Sequence, residues 1–240
     1  MPKLFLCAYC LKRMASRIKI GKTVTVKGKS YKIVKPTAKG KKYKAMPDRI
    51  EAGSFVILGA LCADNLEVTN CNPDDIGLVL EMLKEAGVPL EIGKSSVKIK
   101  NNGKIKNKSF KSLGFKTKEF PGFPTDLQAP MVTFLTQSTG EALVFETIFE
   151  GRLNYTEDLN RMGADILMLD PHRVLIKGPS VLRGREVESP DLRGGLAFII
   201  ASILAKGESI IDNVYLIDRG YEKIEERLKE IGVSIERIKG

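Results

Sequence analysis

Three aspartates stand just behind prolines, each at the start of a stretch that is apolar almost all round. They are Asp48, Asp126 and Asp191. A carboxylate there can cap free backbone amides and interact favourably with the helix dipole, so capping alone is one interpretation of all three. Chemistry is the other interpretation, above all for Asp126, because the proline-rich segment 120–124 before it would hold the carboxylate in place.

Arginines occupy places from which they could bind an anion. Arg193 lies two residues after Asp191, and the two side chains could bracket a polar ligand. Arg152 and Arg219 hold equivalent positions in a repeated pattern, each between a predicted strand and an outer helix. A guanidinium group can grip phosphate or carboxylate through two parallel hydrogen bonds. A solvated loop arginine is the alternative for each, but the matching place near Asp74 has no arginine, and this specialisation favours function.

The other reactive side chains form no recognisable site. Cys7 and Cys10 are a single pair in an apolar helical pattern, and a zinc or redox site would need more than that. His172, the only histidine, falls in a predicted turn and is expected in solvent, as are the lysines of segment 98–111. Motifs for phosphate loops, zinc proteases and serine hydrolases are absent. We therefore expect no metal site and no cofactor.

Internal repeats indicate which elements position these residues. Four segments share the pattern of an amphipathic helix end, a small residue and a strand: 11–20, 83–92, 159–168 and 228–237. Three others begin with proline and aspartate and continue as an apolar helix and a strand: 47–70, 124–147 and 190–213. A helix without a polar face must be buried on all sides, whereas the one-sided helices belong to an outer layer.

These segments predict an α/β (α+β) fold. The class is an inside-out barrel of three βαβαββ-type units about a pseudo-threefold axis, with helices inside and sheets outside. We assign residues 1–46 to a basic remnant of a preceding barrel, made of a closing helix, a hairpin and a linker, and residues 47–240 to the barrel itself. The third unit lacks its return strand, so the strand around Ile235 should expose an unpaired edge.

The net charge of +10 is concentrated at one end of the sequence. Residues 1–50 contain fifteen Lys and Arg but one acid, whereas the remaining residues contain twenty-four bases and twenty-eight acids. A basic nucleic-acid-binding module is therefore the alternative function. We expect residues 1–46 to be weakly ordered or to dock on the barrel or a second copy, with trypsin cutting first between Lys35 and Lys44.

The same composition bears on the compartment. No apolar run approaches the roughly eighteen residues that a membrane-spanning helix needs. The first residues carry one lysine before the apolar stretch and no small-x-small cleavage pattern, unlike a signal peptide. Four cysteines are too few for a disulfide scaffold and suit a reducing compartment. We expect a cytoplasmic protein that does not interact with membranes.

Six segments in order resemble signatures of the UDP-N-acetylglucosamine 1-carboxyvinyltransferases, a family of enolpyruvyl transferases. They are PDRIEAG (47–53), PGFPTDLQ (121–128), ETIFEGR (146–152), LNRMGADI (159–166), DLRGG (191–195) and LIDRGYEKIEERL (216–228). The family fold is two inside-out α/β barrels of three repeats each, and this chain resembles the C-terminal half. The resemblance implies transfer of enolpyruvyl from phosphoenolpyruvate to the sugar 3-hydroxyl, the first committed step of peptidoglycan synthesis and so of cell-wall formation.

The resemblance also implies roles by position. Asp126 matches the carboxylate that holds and deprotonates the sugar hydroxyl, and Arg219 matches an arginine that closes onto the phosphoenolpyruvate side. Ile148 matches a residue that contacts the sugar nucleotide through its backbone. The wall of the site between the barrels is matched by Arg152, Asp191 and Arg193. Two departures, Gly151 in place of the usual Asn and Gly194–Gly195 in place of small non-glycine residues, are expected to loosen the local geometry.

The family enzyme is nearly twice as long as this chain. Its proton-donating cysteine, a Lys-Asn pair and two further substrate arginines belong to the first barrel and have no counterpart here. Cys7 and Cys10 do not correspond to that cysteine. We therefore expect the chain to be inactive alone. UDP-N-acetylglucosamine and phosphoenolpyruvate are the expected substrates, and a separate chain carrying the first barrel is a candidate partner.

Overall fold

The chain divides into two compact units, Met1–Met46 and Pro47–Gly240. The computed structural model describes residues 23–26 and 29–32, for which the backbone alone is given, and residues 45–100 and 110–238. In the first unit, strands β1 (Thr23–Val26) and β2 (Lys29–Lys32) pair antiparallel. The cysteine pair at 7–10 and the expected tryptic site at 35–44 lie outside the described residues.

The second unit begins with a helix that is buried on every side, as its lack of a polar face predicts. This is α1 (Arg49–Cys62), in which all residues from Ala52 to Leu61 are buried. The elements that follow are β3 (Asn65–Thr69), α2 (Gly77–Glu85), β4 (Leu90–Ile92) and β5 (Ser96–Lys100). The three strands form an antiparallel sheet in the order β3-β5-β4.

The second repeat has the same plan. Its elements are α3 (Gln128–Thr136), β8 (Ser138–Phe145), α4 (Thr156–Arg161), β9 (Asp165–Asp170) and β10 (Arg173–Gly178). Strand β10 pairs antiparallel with both β8 and β9. Two short strands before α3 pair parallel with β8, namely β6 (Phe110–Lys111) and β7 (Phe115–Lys116). A strand, a buried helix and a parallel strand therefore form a crossover unit around α3.

The third repeat keeps this crossover, and its described residues form no outer sheet. Its elements are β11 (Glu186–Glu188), α5 (Gly194–Leu204), β12 (Ile210–Asp212), α6 (Val214–Asp218) and α7 (Ile224–Glu230). Strands β11 and β12 pair parallel across α5. The strand predicted around Ile235 is wrong, because the described residues after α7 form no strand. In the first two repeats that strand pairs with the return strand, and here no described strand offers the partner.

Ion pairs hold this C-terminal segment instead. Arg237 donates to both carboxylate oxygens of Asp218, at 2.6 and 2.9 Å, and to both of Glu225, at 2.8 and 2.9 Å. The hydrogen bonds from Arg237 lower the pKa of Asp218 and that of Glu225. Val233 and Ile235 meanwhile pack against the core. The segment is therefore attached by side chains rather than by a ladder.

The three buried helices α1, α3 and α5 contact one another, and the strands lie at the outside with one face exposed. The predicted mixed α/β fold, with apolar helices at its centre, is confirmed. Contacts between the first and third repeats complete the unit. The Ser54 and Tyr221 hydroxyls are 2.9 Å apart, and Arg227 forms an ion pair with Glu51. Among the described residues, no helix is long and apolar enough to cross a membrane.

Candidate active site

The three aspartates at the starts of the buried helices differ in their hydrogen-bond partners. Asp48 accepts hydrogen bonds from the backbone N–H groups of Ile50 and Glu51, at 2.8 and 3.2 Å. Asp191 does the same two and three residues on, at 2.7 and 2.6 Å, from the backbone N–H groups of Arg193 and Gly194. Asp48 is therefore the cap of α1, as the capping interpretation predicts, whereas Asp191 holds the turn just before α5 and interacts with Arg193 through its backbone amide.

Asp126 is different because Thr125 separates it from the preceding proline. The helix entrance here is a 3₁₀ turn, Thr125–Leu127, in which the Leu127 amide donates to the carbonyl of Pro124 at 2.9 Å. No side chain caps this turn or the start of α3. Backbone bonds thus take over part of the capping, and the Asp126 carboxylate is left for other partners.

Two arginines are those partners. Arg152 Nη2 donates to Asp126 Oδ1 at 2.9 Å, and Arg193 Nε lies 3.6 Å from Asp126 Oδ2. We call these three residues the Asp126 cluster. The side chains of Arg152 and Arg193 are 13% and 14% exposed, and that of Asp126 is 37% exposed. The structure thus brings together residues 26 and more positions apart, with the carboxylate on the solvent side of two largely buried cations.

Arg193 has unused hydrogen-bonding capacity. Its Nε and Nη1 atoms are buried and have no hydrogen-bond acceptor among the described residues. The guanidinium carbon lies 5.7 Å from the centre of the Tyr221 ring. Burial raises the pKa of Tyr221, and the hydrogen bond with Ser54 and the charge of Arg193 offset part of that rise. The ring is therefore a neutral support, and the N–H groups of Arg193 that lack a hydrogen-bond acceptor among the described residues could receive an anionic ligand.

Glu146, which the sequence analysis missed, is fully buried below the cluster. It accepts hydrogen bonds from the Thr117 and Thr125 hydroxyls at 2.9 and 2.8 Å, and from the amides of Ile148 and Phe149 at 2.8 and 3.3 Å. Arg152 Nη1 in turn donates to Thr125 Oγ1 at 2.8 Å. The signal was present at the end of β8, where Ala142 and Val144 are buried and the same alternation continues to Glu146.

Ile148 and His172 are both tied to Glu146. The Ile148 amide donates to Glu146 Oε1, so the group of its backbone left for a ligand is the carbonyl. His172 is half-buried rather than solvated, which corrects the expectation for this turn. Its Nδ1 lies 2.9 Å from the Glu146 carbonyl oxygen, and because a carbonyl only accepts, Nδ1 carries the proton. His172 thereby holds the residue that follows strand β8 in place.

Arg219 lies beside the cluster rather than in it. It follows the last residue of α6, is exposed, and lines an open groove of about 680 Å³ together with Tyr221, Lys223 and Arg227. Within the described part of the chain, no ion pair joins Arg219 to Asp126. The neighbouring Gly220 comes close to Arg193, since a Cβ placed there would lie 3.2 Å from Arg193 Nη1. Tyr221, which lines the groove and supports Arg193, connects the two places.

Other reactive groups near the centre of the unit are held neutral. Tyr155 is buried, its pKa is raised well above the usual range by that burial, and its hydroxyl donates to Gln128 Oε1 at 3.2 Å. Burial raises the pKa of the Cys62 thiol to about 12 and also raises that of Cys71. A nucleophilic cysteine needs the opposite shift. No group of three or more potential metal ligands occurs among the described residues.

The glycines expected to loosen the site have different surroundings. Gly151 has φ of +70°, a left-handed conformation that glycine adopts without steric cost. Gly195 lies where α5 approaches its surroundings closely. A Cβ at Gly195 would lie 2.4 Å from Ile217 Cγ1 and 2.5 Å from Ser189 Oγ. The expectation of loosened geometry is therefore wrong at Gly195, whose missing side chain permits a tight contact.

Gly195→Ala is accordingly expected to destabilise the protein by about 1–3 kcal/mol, as overpacking of a closed site does. Gly77→Ala is the matched control. Gly77 is also at the start of a helix, but a Cβ there meets nothing within 4 Å, so no loss is expected. Urea unfolding of both variants measures the difference, and equal midpoints would show that the α5 contact relaxes without cost.

Comparison with known proteins shows the family to which this chain belongs. Residues 4–228 match the sequence profile of EPSP synthase (3-phosphoshikimate 1-carboxyvinyltransferase). The chain belongs to the EPSP synthase family. It is 43% identical over 199 residues to a UDP-N-acetylglucosamine 1-carboxyvinyltransferase of Koribacter versatilis, which covers 83% of this chain and 45% of that protein. The identity is 36% over 239 residues with the enzyme of the same name from Saccharophagus degradans, covering 100% of this chain and 55% of the relative.

Two solved structures share the fold. The enolpyruvyl transferase NikO from Streptomyces tendae superimposes with a TM-score of 0.70 at 22% identity, over 79% of this chain and 44% of NikO. EPSP synthase from Acinetobacter baumannii gives a TM-score of 0.63 at 18% identity, over 95% of this chain and 55% of the synthase. The chain therefore spans about half the length of the relatives that it matches.

Proposed function

We propose that this chain is the C-terminal half of a UDP-N-acetylglucosamine 1-carboxyvinyltransferase. Residues 47–240 would be its inside-out barrel, and residues 1–46 the end of the preceding one. The enzyme would transfer the enolpyruvyl group of phosphoenolpyruvate to the 3-hydroxyl of UDP-N-acetylglucosamine. Names and identities of the relatives support this substrate pair. The observation that carries it is the Asp126 cluster, in which one carboxylate, not used as a cap, lies between two largely buried arginines.

In this proposal Asp126 is the general base. The sugar oxygen forms a bond to C2 of phosphoenolpyruvate while its proton passes to the Asp126 carboxylate, and C3 takes a proton from an acid in the other half of the enzyme as the C2=C3 π bond breaks. The tetrahedral adduct then loses a proton from C3 and phosphate from C2, which restores the double bond. A base must come within hydrogen-bond reach of the proton that it removes. Asp126 meets this need through its exposed edge, and Arg152 fixes the other side of the carboxylate by a 2.9 Å hydrogen bond.

The remaining residues would bind the substrates. Arg193 has N–H groups without a hydrogen-bond acceptor among the described residues, which suit an anionic oxygen, and Asp191 positions Arg193 by accepting a hydrogen bond from its backbone amide. The carbonyl of Ile148 is available to a ligand, since its amide is engaged by Glu146. Arg219 is exposed at a groove next to the cluster, from which it could reach the phosphoenolpyruvate side when substrate is bound.

Binding of UDP-N-acetylglucosamine to the purified chain tests this function. We expect saturable binding by calorimetry. Arg152→Ala should weaken it about tenfold or more, because the charge-assisted hydrogen bond that holds the Asp126 carboxylate is lost. Arg161→Ala is the control, since Arg161 is a solvent-exposed arginine whose one ion pair among the described residues is with Asp158. Absence of binding, or equal losses in the two variants, would contradict the proposed site.

Catalysis should require the rest of the enzyme. We expect no phosphate release above background from the chain with both substrates, because reacting groups held by two halves must be aligned closely. Release that Asp126→Ala abolishes would overturn this expectation. The nucleic-acid alternative remains a prediction, and a DNA affinity that falls steeply with salt while UDP-N-acetylglucosamine fails to bind would favour it.

A further inference from the structure

Glu146 is a buried charge whose place in the proposed reaction is so far unassigned. Its side chain is fully buried, and within the described residues no Lys or Arg forms an ion pair with it. Its partners are two threonine hydroxyls and two backbone amides, four donors in all. A buried carboxylate is costly unless such bonds satisfy it. A carboxylate with a high desolvation cost therefore lies directly below the Asp126 cluster.

The protons in this network can point in only one direction. A carboxylate accepts and cannot donate, so the single hydroxyl proton of Thr125 is committed to Glu146 Oε2 at 2.8 Å. The Thr125 oxygen is then an acceptor towards Arg152 Nη1, also at 2.8 Å, while Arg152 Nη2 donates to Asp126. The guanidinium group of Arg152 is held through its Nη1 and Nη2 atoms, and its plane is therefore fixed relative to the carboxylate of Asp126.

We propose that Glu146 is a positioning residue that acts through Thr125 to orient Arg152 against Asp126. The inference rests on the proposed function for its consequence, because orientation of Arg152 matters when a ligand reaches the cluster. It explains why Thr125 stands between proline and aspartate in this repeat alone. The same carboxylate binds the amides of Ile148 and Phe149, so one side chain sets both the arginine and the turn before it.

Two substitutions break the relay without changing the shape of the side chains. In Glu146→Gln the amide oxygen should stay with the backbone amides of Ile148 and Phe149, which can only donate. The NH₂ group then faces Thr125, whose hydroxyl proton loses its acceptor. Thr125→Val removes the hydroxyl. Thr125→Ser retains it and is the matched control, so the relay stays testable even if Glu146→Gln does not fold.

The first readout needs no ligand. Nitrogen-15 NMR of the guanidinium groups should show slow rotation of the Arg152 Nη groups in wild type and Thr125→Ser, and fast rotation in Thr125→Val. Equal rotation in the serine and valine variants would overturn the proposal. This measurement decides the relay whether or not the chain binds a sugar nucleotide, so failure of the proposed function would be recognised separately, by absent binding to wild type.

The second readout is affinity for UDP-N-acetylglucosamine. Thr125→Val should weaken binding about tenfold, as loss of a charge-assisted hydrogen bond predicts, and Thr125→Ser should not. In an Arg152→Lys background, Thr125→Val should not weaken binding further, because the guanidinium group that Thr125 orients is already absent. Fully additive losses would show that Thr125 and Glu146 stabilise the turn alone, and would refute the positioning role.

Discussion

Asp126→Asn is expected to lower kcat by about two to four orders of magnitude when this chain is combined with a polypeptide that supplies the other half of the enzyme. Asparagine has the same shape and can still accept a hydrogen bond from Arg152, but it cannot take up the proton of the sugar hydroxyl. Binding of UDP-N-acetylglucosamine should therefore weaken much less than kcat falls. Phosphate release and calorimetry measure the two quantities.

Asp158→Asn is the control for this experiment, since Asp158 is also a carboxylate paired with an arginine but lies on the outer helix α4. It should leave kcat unchanged. Equal losses of kcat and of sugar-nucleotide affinity in Asp126→Asn would assign Asp126 to substrate positioning and remove it as the base.

Phe198→Ala is expected to reduce the free energy of unfolding by about 3–5 kcal/mol. Phe198 is fully buried in α5, and its ring meets that of Tyr155 edge-on, with 6.3 Å between the centroids. Truncation leaves a cavity where the buried helices meet, and surrounding helices packed on all sides can close it only in part. The midpoint of urea unfolding, at unchanged slope, reports the loss.

Ile203→Ala provides the comparison on the same helix. Ile203 is half-buried near the end of α5, so its truncation should cost clearly less than that of Phe198. A loss below about 1 kcal/mol for Phe198→Ala would contradict the central position of α5.

Much of the framework was predictable because burial leaves a period in the sequence. The helices over 47–70, 124–147 and 190–213 lack a polar face, and all three lie at the centre. Short strands such as β6 and β7 were missed, because two residues cannot display an alternating pattern. The strand around Ile235 was predicted by analogy with the other repeats, but a strand needs a partner, and the pattern of one segment does not supply it.

The candidate site was only partly predictable for a related reason. Asp48, Asp126 and Asp191 look alike in sequence, yet one extra residue turns a cap into a partner of two arginines. Glu146 directly follows strand β8 and was given no role from the sequence, although its place in the alternation after Ala142 and Val144 marks it as buried. Close contacts at Gly195 depend on residues distant in the chain, which no local pattern encodes.

The contacts between the ends of the second unit bear on how it is made in a cell. Ser54 meets Tyr221 across 167 positions of sequence, and Glu51 meets Arg227 across 176. At the usual speed of translation, the first buried helix leaves the ribosome roughly 10 to 30 s before these partners do. Helix α1 has no polar face to shield it during that interval. Nascent chains of this protein would therefore expose the apolar segment of α1, and we expect chaperones to bind it until its partners have been synthesised.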